Sequence, residues 1–205
     1  MMALDLAFMI TAFATIIVII DPFAIGPMFL ALTPGMTPRQ RRLIAWRSVI
    51  IAGLILLVFA AFGEAVLGFI GISMPAFRVA GGVLLFLTAL DMLFDRRTKR
   101  REGHAEADDD HDDPSVFPLA IPLIAGPGAI ASVILLTGEK PGLEGLVTVV
   151  AITFAVLLIM GITMQASGYL ENALGKVGIN VITRLLGMLL AALSVQFVLD
   201  GLSAF

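Results

Sequence analysis

Pro22-Phe23-Ala24-Ile25-Gly26-Pro27 and Pro122-Leu123-Ile124-Ala125-Gly126-Pro127 share the pattern P-x-x-x-G-P, and each interrupts a long apolar run. A helix broken in lipid exposes backbone groups that only protein, a cavity or a ligand can satisfy. Matched interruptions in two related halves therefore point to a transport site near the middle of the bilayer.

Further matches extend the repeat. Glu64-Ala-Val-Leu-Gly-Phe-Ile-Gly-Ile-Ser73 aligns with Glu171-Asn-Ala-Leu-Gly-Lys-Val-Gly-Ile-Asn180, and Arg78-Val-Ala-Gly81 with Arg184-Leu-Leu-Gly187. In each half a hydroxyl residue, Thr88 or Ser194, follows ten positions after that Arg. The matches keep their order, which reads as a duplication.

Composition fixes the class. Of 205 residues, 59% are hydrophobic and 14% charged, with a mean hydropathy of +1.03, against roughly 45 to 50% apolar for soluble domains. A helical span needs about 20 apolar residues. Six stretches qualify: Leu4 to Leu32, Leu43 to Ile70, Met74 to Phe94, Val116 to Leu136, Leu143 to Thr163 and Ile179 to Leu199. The expectation is an all-α integral membrane protein of six transmembrane helices, with spans 1 and 4 broken. Residues 1–94 form a first three-span repeat, 95–115 a polar, disordered cytoplasmic linker, and 116–205 a second repeat.

No Lys or Arg precedes the first apolar run and no small-residue cleavage site closes it, so it reads as a retained span rather than a signal peptide. Cysteine is absent, which excludes disulfides and thiolate metal sites. The net charge of −3 and the lack of a basic stripe with interleaved aromatics argue against nucleic acid. Arg39, Arg41, Arg42 and Arg47 flank the first connection, Arg96, Arg97, Lys99, Arg100 and Arg101 the third, and Lys176 the fifth; only Lys140 lies opposite. Short cytoplasmic loops carry such an excess. Both termini are thus expected outside a plasma membrane, and three spans per half turn the second repeat upside down. His104 and His111 lie among linker carboxylates, but a polar low-complexity run stays solvated, so no metal or other cofactor is expected.

The breaks carry the chemistry. Gly26 and Gly126 permit backbone conformations closed to other residues, and Pro27 and Pro127 suit the first turn of a new helix. Its free N–H groups and positive dipole end attract a carboxylate, while carbonyls of the preceding segment attract a cation. A small zwitterion meets both demands. The bland alternative is a pair of proline kinks stabilised by neighbouring helices. Asp21, before Pro22, has no counterpart at Ile121. A carboxylate at membrane depth costs roughly 2.5 to 3.5 kcal/mol, which marks Asp21 as a ligand for a substrate ammonium, Na⁺ or a proton unless it merely caps a helix. Arg78 and Arg184 open apolar spans and read as snorkelling to headgroups, with pairing to Glu64, Glu171 or Asp21 as the alternative. Thr33, Thr88, Ser132, Thr137, Gln165 and Ser194 would line a polar path unless they satisfy their own helix backbones.

Asp21-Pro22-Phe23 through Pro27, the run Pro118 to Ile130, and Gly178-Ile-Asn-Val-Ile-Thr-Arg-Leu-Leu-Gly187 with Val195 to Gly201 resemble the MarC family of bacterial and archaeal inner-membrane proteins. The resemblance covers essentially the whole chain. It implies six spans, kinship with the lysine-exporter superfamily and transport of small neutral amino acids. It also directs the site to Asp21, Pro22, Gly26 and Pro27 in the first half, and to Pro122, Gly126, Pro127, Gly128 and Ser132 in the second. Family members resemble D-P-x-G-N-x-P in the first break; here Ala24 and Ile25 replace the Gly and Asn.

The reading is a secondary transporter of alanine- or glycine-like zwitterions, coupled to H⁺ or Na⁺. A membrane scaffold or a passive channel is the alternative. No nucleophile-base constellation suggests an enzyme, and no nucleotide-binding loop suggests ATP drive. The oligomeric state stays open.

Overall fold

The computed structural model describes residues 6–94 and 113–204. Eight helical segments follow in order: α1 Leu6–Ile20, α2 Pro22–Leu32, α3 Pro38–Ile70, α4 Met74–Leu93, α5 Ser115–Ile124, α6 Pro127–Glu139, α7 Leu143–Gln165 and α8 Ser167–Ser203. Among the described residues, five spans are long and apolar enough to cross a membrane: Leu6–Leu32, in which α1 and α2 run together, α3, α4, α7 and Val177–Ser203. The pair α5 and α6, bent by 52°, brings the number to six if it is counted as one span. The protein is an all-helical, multi-pass membrane protein.

Local chemistry sets the boundaries. Thr37 opens α3 through a capping box, its hydroxyl taking the Gln40 N–H at 3.4 Å while the Gln40 side chain accepts from the Thr37 N–H at 2.9 Å. Ser73 caps α4 at the Ala76 N–H, with Pro75 in the first turn. Gly71, at φ 84°, ends α3 in the left-handed conformation that glycine adopts without strain. At 33 residues, α3 is about 50 Å long, well beyond a hydrocarbon core, so it tilts or projects into the interface. Gly175, at φ 62°, interrupts α8 between a short leading segment and the membrane-length run.

The core lies where α1, α6 and α7 meet. From Gly128 to Thr137 nearly every residue of α6 is buried, and an apolar helix covered all round belongs inside a bundle. Around it, α3 packs on α5, α6 and α7, and α4 lies along α8. The α4–α8 contact is close because glycines line it. A Cβ on Gly82 would sit 2.8 Å from the Ser194 carbonyl oxygen, one on Gly187 2.9 Å from Met92 Cβ, and one on Gly201 3.0 Å from the Pro75 carbonyl oxygen. Pairings that fall in reverse order along the two helices make them antiparallel. Large apolar residues such as Phe62, Phe69, Leu87 and Leu189 face outward, as a lipid-facing rim requires.

Most of the 95–115 linker lies outside the described residues, as do His104 and His111. Its end does not hang free. Asp113 forms an ion pair with Arg47 of α3 and accepts the Ser115 N–H at 3.0 Å. Ser115 hydrogen bonding, reinforced by the Arg47 guanidinium, holds the Asp113 carboxyl below the usual carboxylate range.

Candidate functional site at the two interruptions

The first interruption is displaced from the Gly-Pro pair expected to form it. The chain turns at Asp21, Pro22 is the first residue of α2, and Gly26 and Pro27 lie inside that helix. Asp21 determines the position. Its backbone is left-handed, φ 54° and ψ 69°, a conformation Asp tolerates better than most residues. Its Oδ1 accepts the Ala24 N–H at 3.3 Å as a helix cap. Pro22 has no N–H to offer the carbonyl of Val18, four residues back.

Capping leaves half the carboxylate unused. Asp21 is wholly buried, and its Oδ2 has no hydrogen-bond partner. A buried acceptor without a partner costs about 1 to 3 kcal/mol, more when charged. The cap, one of the two roles open to Asp21, thus occupies one oxygen and leaves the other without a partner.

The second interruption involves both ends of its hexapeptide. Residues before proline are driven out of the helical region, and both Phe117 (φ −125°, ψ 129°) and Ile121 (φ −129°, ψ 125°) are extended. The Phe117–Pro118 and Ile121–Pro122 peptide bonds are cis. Between them α5 closes wide turns, with the Leu119 N–H reaching the Pro114 carbonyl at 3.2 Å and the Ala125 N–H the Ala120 carbonyl at 2.9 Å. Gly126 then precedes α6, whose first residue is Pro127.

The role expected of the glycines changes. Gly26 is helical, and Gly126 has φ −81° and ψ 170°, extended backbone that any residue adopts. Gly126 is required for another reason: a Cβ there would run into the Pro122 carbonyl oxygen. At Gly26 the nearest atom to such a Cβ is Ser167 Cβ at 3.6 Å, an ordinary contact.

Packing brings the two regions together. A Cβ on Gly128 would lie 2.9 Å from Ile19 Cδ1 and 3.7 Å from Thr88 Oγ1. The start of α6 thus rests against the last turn of α1, two residues before Asp21, and against α4. The hydroxyls expected to line a path are spent locally: Ser132 on the Gly128 carbonyl at 2.9 Å, Thr88 on Leu84 at 2.9 Å, Ser194 on Ala191 at 2.7 Å and Thr33 on Phe29 at 2.7 Å. Such back-bonding is their usual use in a helix.

Among the described side chains, neither Arg78 nor Arg184 forms an ion pair with Glu64 or Asp21. Arg78 is half-buried, Arg184 and Glu64 are exposed, and the ion pairs among the described residues join Arg47 to Asp113 and Lys140 to Glu144. The Glu171 side chain lies outside the described residues. Long guanidinium stems at span ends reach water or headgroups without a partner. No metal-ligating cluster occurs among the described residues.

Sequence reasoning missed Ile19 as the neighbour of Gly128, and it missed a cleft of about 580 Å³ where α2, α3, α7 and α8 meet. Arg41 and Arg42 line that cleft. Both were read only as topology signals, although two adjacent arginines just before an apolar run already marked a basic point at a span end.

Comparison with known proteins places the chain. A family model described as MarC family integral membrane protein matches residues 6–205. The chain is 38% identical over 204 residues to UPF0056 membrane protein MJ1677 of Methanocaldococcus jannaschii, covering 97% of this chain and 98% of that one. It is 34% identical over 197 residues to UPF0056 inner membrane protein YhgN of Escherichia coli, covering 94% and 95% of the two chains. To UPF0056 membrane protein YvbG of Bacillus subtilis it is 34% identical over 204 residues, covering 96% and 94%. No solved structure matches.

Proposed function

The chain belongs to the MarC family of integral membrane proteins, and from that premise we propose that it is a secondary transporter of small neutral amino acids in a bacterial-type inner membrane. The observation that carries the reading is Asp21, a carboxylate without exposure whose Oδ2 lacks a partner, at the turn of a membrane span. An intramembrane carboxylate is maintained at a cost that function must justify.

In the proposed site, the amino acid's carboxylate meets the first N–H groups of α6, beyond Gly126 and Pro127, at the positive end of that helix. Asp21 receives either the substrate ammonium or the coupling H⁺ or Na⁺. The contact of Gly128 with Ile19 supports one shared site rather than two. Two inverted three-helix repeats would rock about it. The contacts support that arrangement, because they occur in exchangeable pairs. If α1 and α2 correspond to α5 and α6, α3 to α7 and α4 to α8, then α3 against α6 is matched by α2 against α7, and α3 against α5 by α1 against α7. The inner-membrane assignment follows the printed name of YhgN, and termini facing outward follow the Arg and Lys distribution.

One observation favours a scaffold instead: the hydroxyls of Ser132, Thr88 and Ser194 are all occupied within their own helices. Flux separates the readings. Proteoliposomes with imposed pH or Na⁺ gradients should concentrate alanine or glycine from a panel of labelled amino acids. Asp21→Asn should abolish accumulation while the protein still inserts and melts cooperatively, since Asn keeps the cap and tolerates the left-handed backbone. Unchanged accumulation in that variant would remove Asp21 from the mechanism, and a wild type without solute-specific flux would establish the scaffold.

A further inference from the structure

The cleft of about 580 Å³ at the junction of α2, α3, α7 and α8 has two guanidinium groups on its wall, Arg41 and Arg42, with Gln165, Ser167 and Asn172, and no described carboxylate. Arg41 is anchored: its Nε and Nη2 donate to the carbonyl of Thr33, which closes α2, at 3.3 and 2.9 Å. Its Nη1, and the whole of Arg42, make no hydrogen bond or ion pair among the described residues. Donors gathered without an acceptor suit an anion. Planar guanidinium forks match the oxygens of phosphate better than a point charge does.

Depth narrows the ligand. Leu43, next after Arg42, is 69% exposed, and Ile50 and Leu54 continue the outward apolar face of α3. Arg42 thus stands at the boundary between the polar end of the bundle and its lipid-facing wall. Tyr169, on the same cleft and 84% exposed, is a residue type concentrated at the headgroup level of membranes. Basic pockets between membrane helices at this level hold phosphorylated headgroups.

We propose that this cleft binds a phosphate-bearing anion through Arg41 and Arg42, the chemistry shared by an anionic phospholipid headgroup and a soluble phosphate ester. The site is separate from Asp21 and does not depend on the transport reading.

The test is titration of the purified full chain in neutral detergent, read by thermal shift and native mass spectrometry. The probes are phosphatidylglycerol, phosphatidylcholine and glycerol 3-phosphate. Phosphatidylglycerol should bind in preference to phosphatidylcholine, more weakly as salt rises. Arg42→Gln should weaken binding about tenfold, the loss of a charge-assisted hydrogen bond, with unchanged melting when no anion is added. Arg39→Gln, exposed but off the cleft wall, should leave binding as in wild type. Asn172→Leu provides a second cleft variant should Arg42→Gln fail to accumulate, with a smaller loss expected. Competition by glycerol 3-phosphate would assign the site to a soluble ester; saturable lipid binding without competition would assign it to the headgroup. Binding that neither cleft variant weakens, or equal affinity for the two lipids with none for the ester, overturns the proposal.

Discussion

At Asp21 one carboxylate oxygen caps a helix while the other has no hydrogen-bond partner, so the residue's value cannot be read from its helix-capping geometry alone. Replacing it by Ala would remove the cap, at about 1 kcal/mol, together with the charge, and would confuse the two. Asp21→Asn separates them. The glycines make a second contrast. Gly26 and Gly126 occupy the same place in the repeated hexapeptide, yet Gly26→Ala should be neutral or raise stability by up to about 1 kcal/mol, since it removes a glycine from a helix interior and its Cβ finds room at 3.6 Å. Gly126→Ala should destabilise by about 1 to 3 kcal/mol as the new Cβ meets the Pro122 carbonyl. Melting temperatures of the two variants in one detergent would decide it; equal responses would mean that the hexapeptides are packed alike.

Between elements, the antiparallel α4–α8 contact depends on missing side chains. Gly82→Ala would push a methyl into the Ser194 carbonyl and the Val198 backbone, neither of which can rotate away. It should cost about 1 to 3 kcal/mol. Gly68→Ala, with nothing within 4 Å, is the control and should be neutral or slightly stabilising. Thermal unfolding of both variants supplies the measurement. The tether of α5 to α3 is weaker and depends on pH. Because folding holds the Asp113 carboxyl below its ordinary value of 3.8, the unfolded chain binds the proton first as pH falls. The tether's contribution is therefore complete above the ordinary value and disappears as pH drops through the depressed one. Both partners are substantially exposed, at 41% for Asp113 and 54% for Arg47, so the pair contributes at most about 1 kcal/mol. Asp113→Asn should lower the melting temperature slightly at neutral pH and match wild type in acid; a difference that persists in acid would assign the effect to something other than charge.

For the molecule as a whole, apolar length and proline position made the helices legible, and spans anticipated from Leu43 to Ile70 and from Leu143 to Thr163 fall within α3 and α7. The exact turn of the first span was not legible, because Asp21 and Gly26-Pro27 both carry turn chemistry and only the buried surroundings select between them. The unused Asp21 oxygen and the free guanidinium of Arg42 were also out of reach, since both are facts about what neighbours fail to provide. Orientation is open to a direct test in a chain without cysteine. Pro34→Cys and Ser203→Cys, both at exposed positions, lie at opposite ends of the bundle. An impermeant thiol reagent should label Ser203→Cys in intact spheroplasts and Pro34→Cys only after permeabilisation. The opposite pattern would invert the topology.

Asp21 has Ile121 and no acidic residue at the matching place, and the first P-x-x-x-G-P hexapeptide is broken only before its first proline, whereas the second is broken at both ends. A transporter built from interchangeable halves would sit open to either side of the membrane with equal ease, because swapping the halves converts one state into the other. These halves are not interchangeable. Under the transport reading the cycle therefore has a preferred parking position even with equal solutions on both sides, and its sidedness is written into the chain rather than imposed by the gradient.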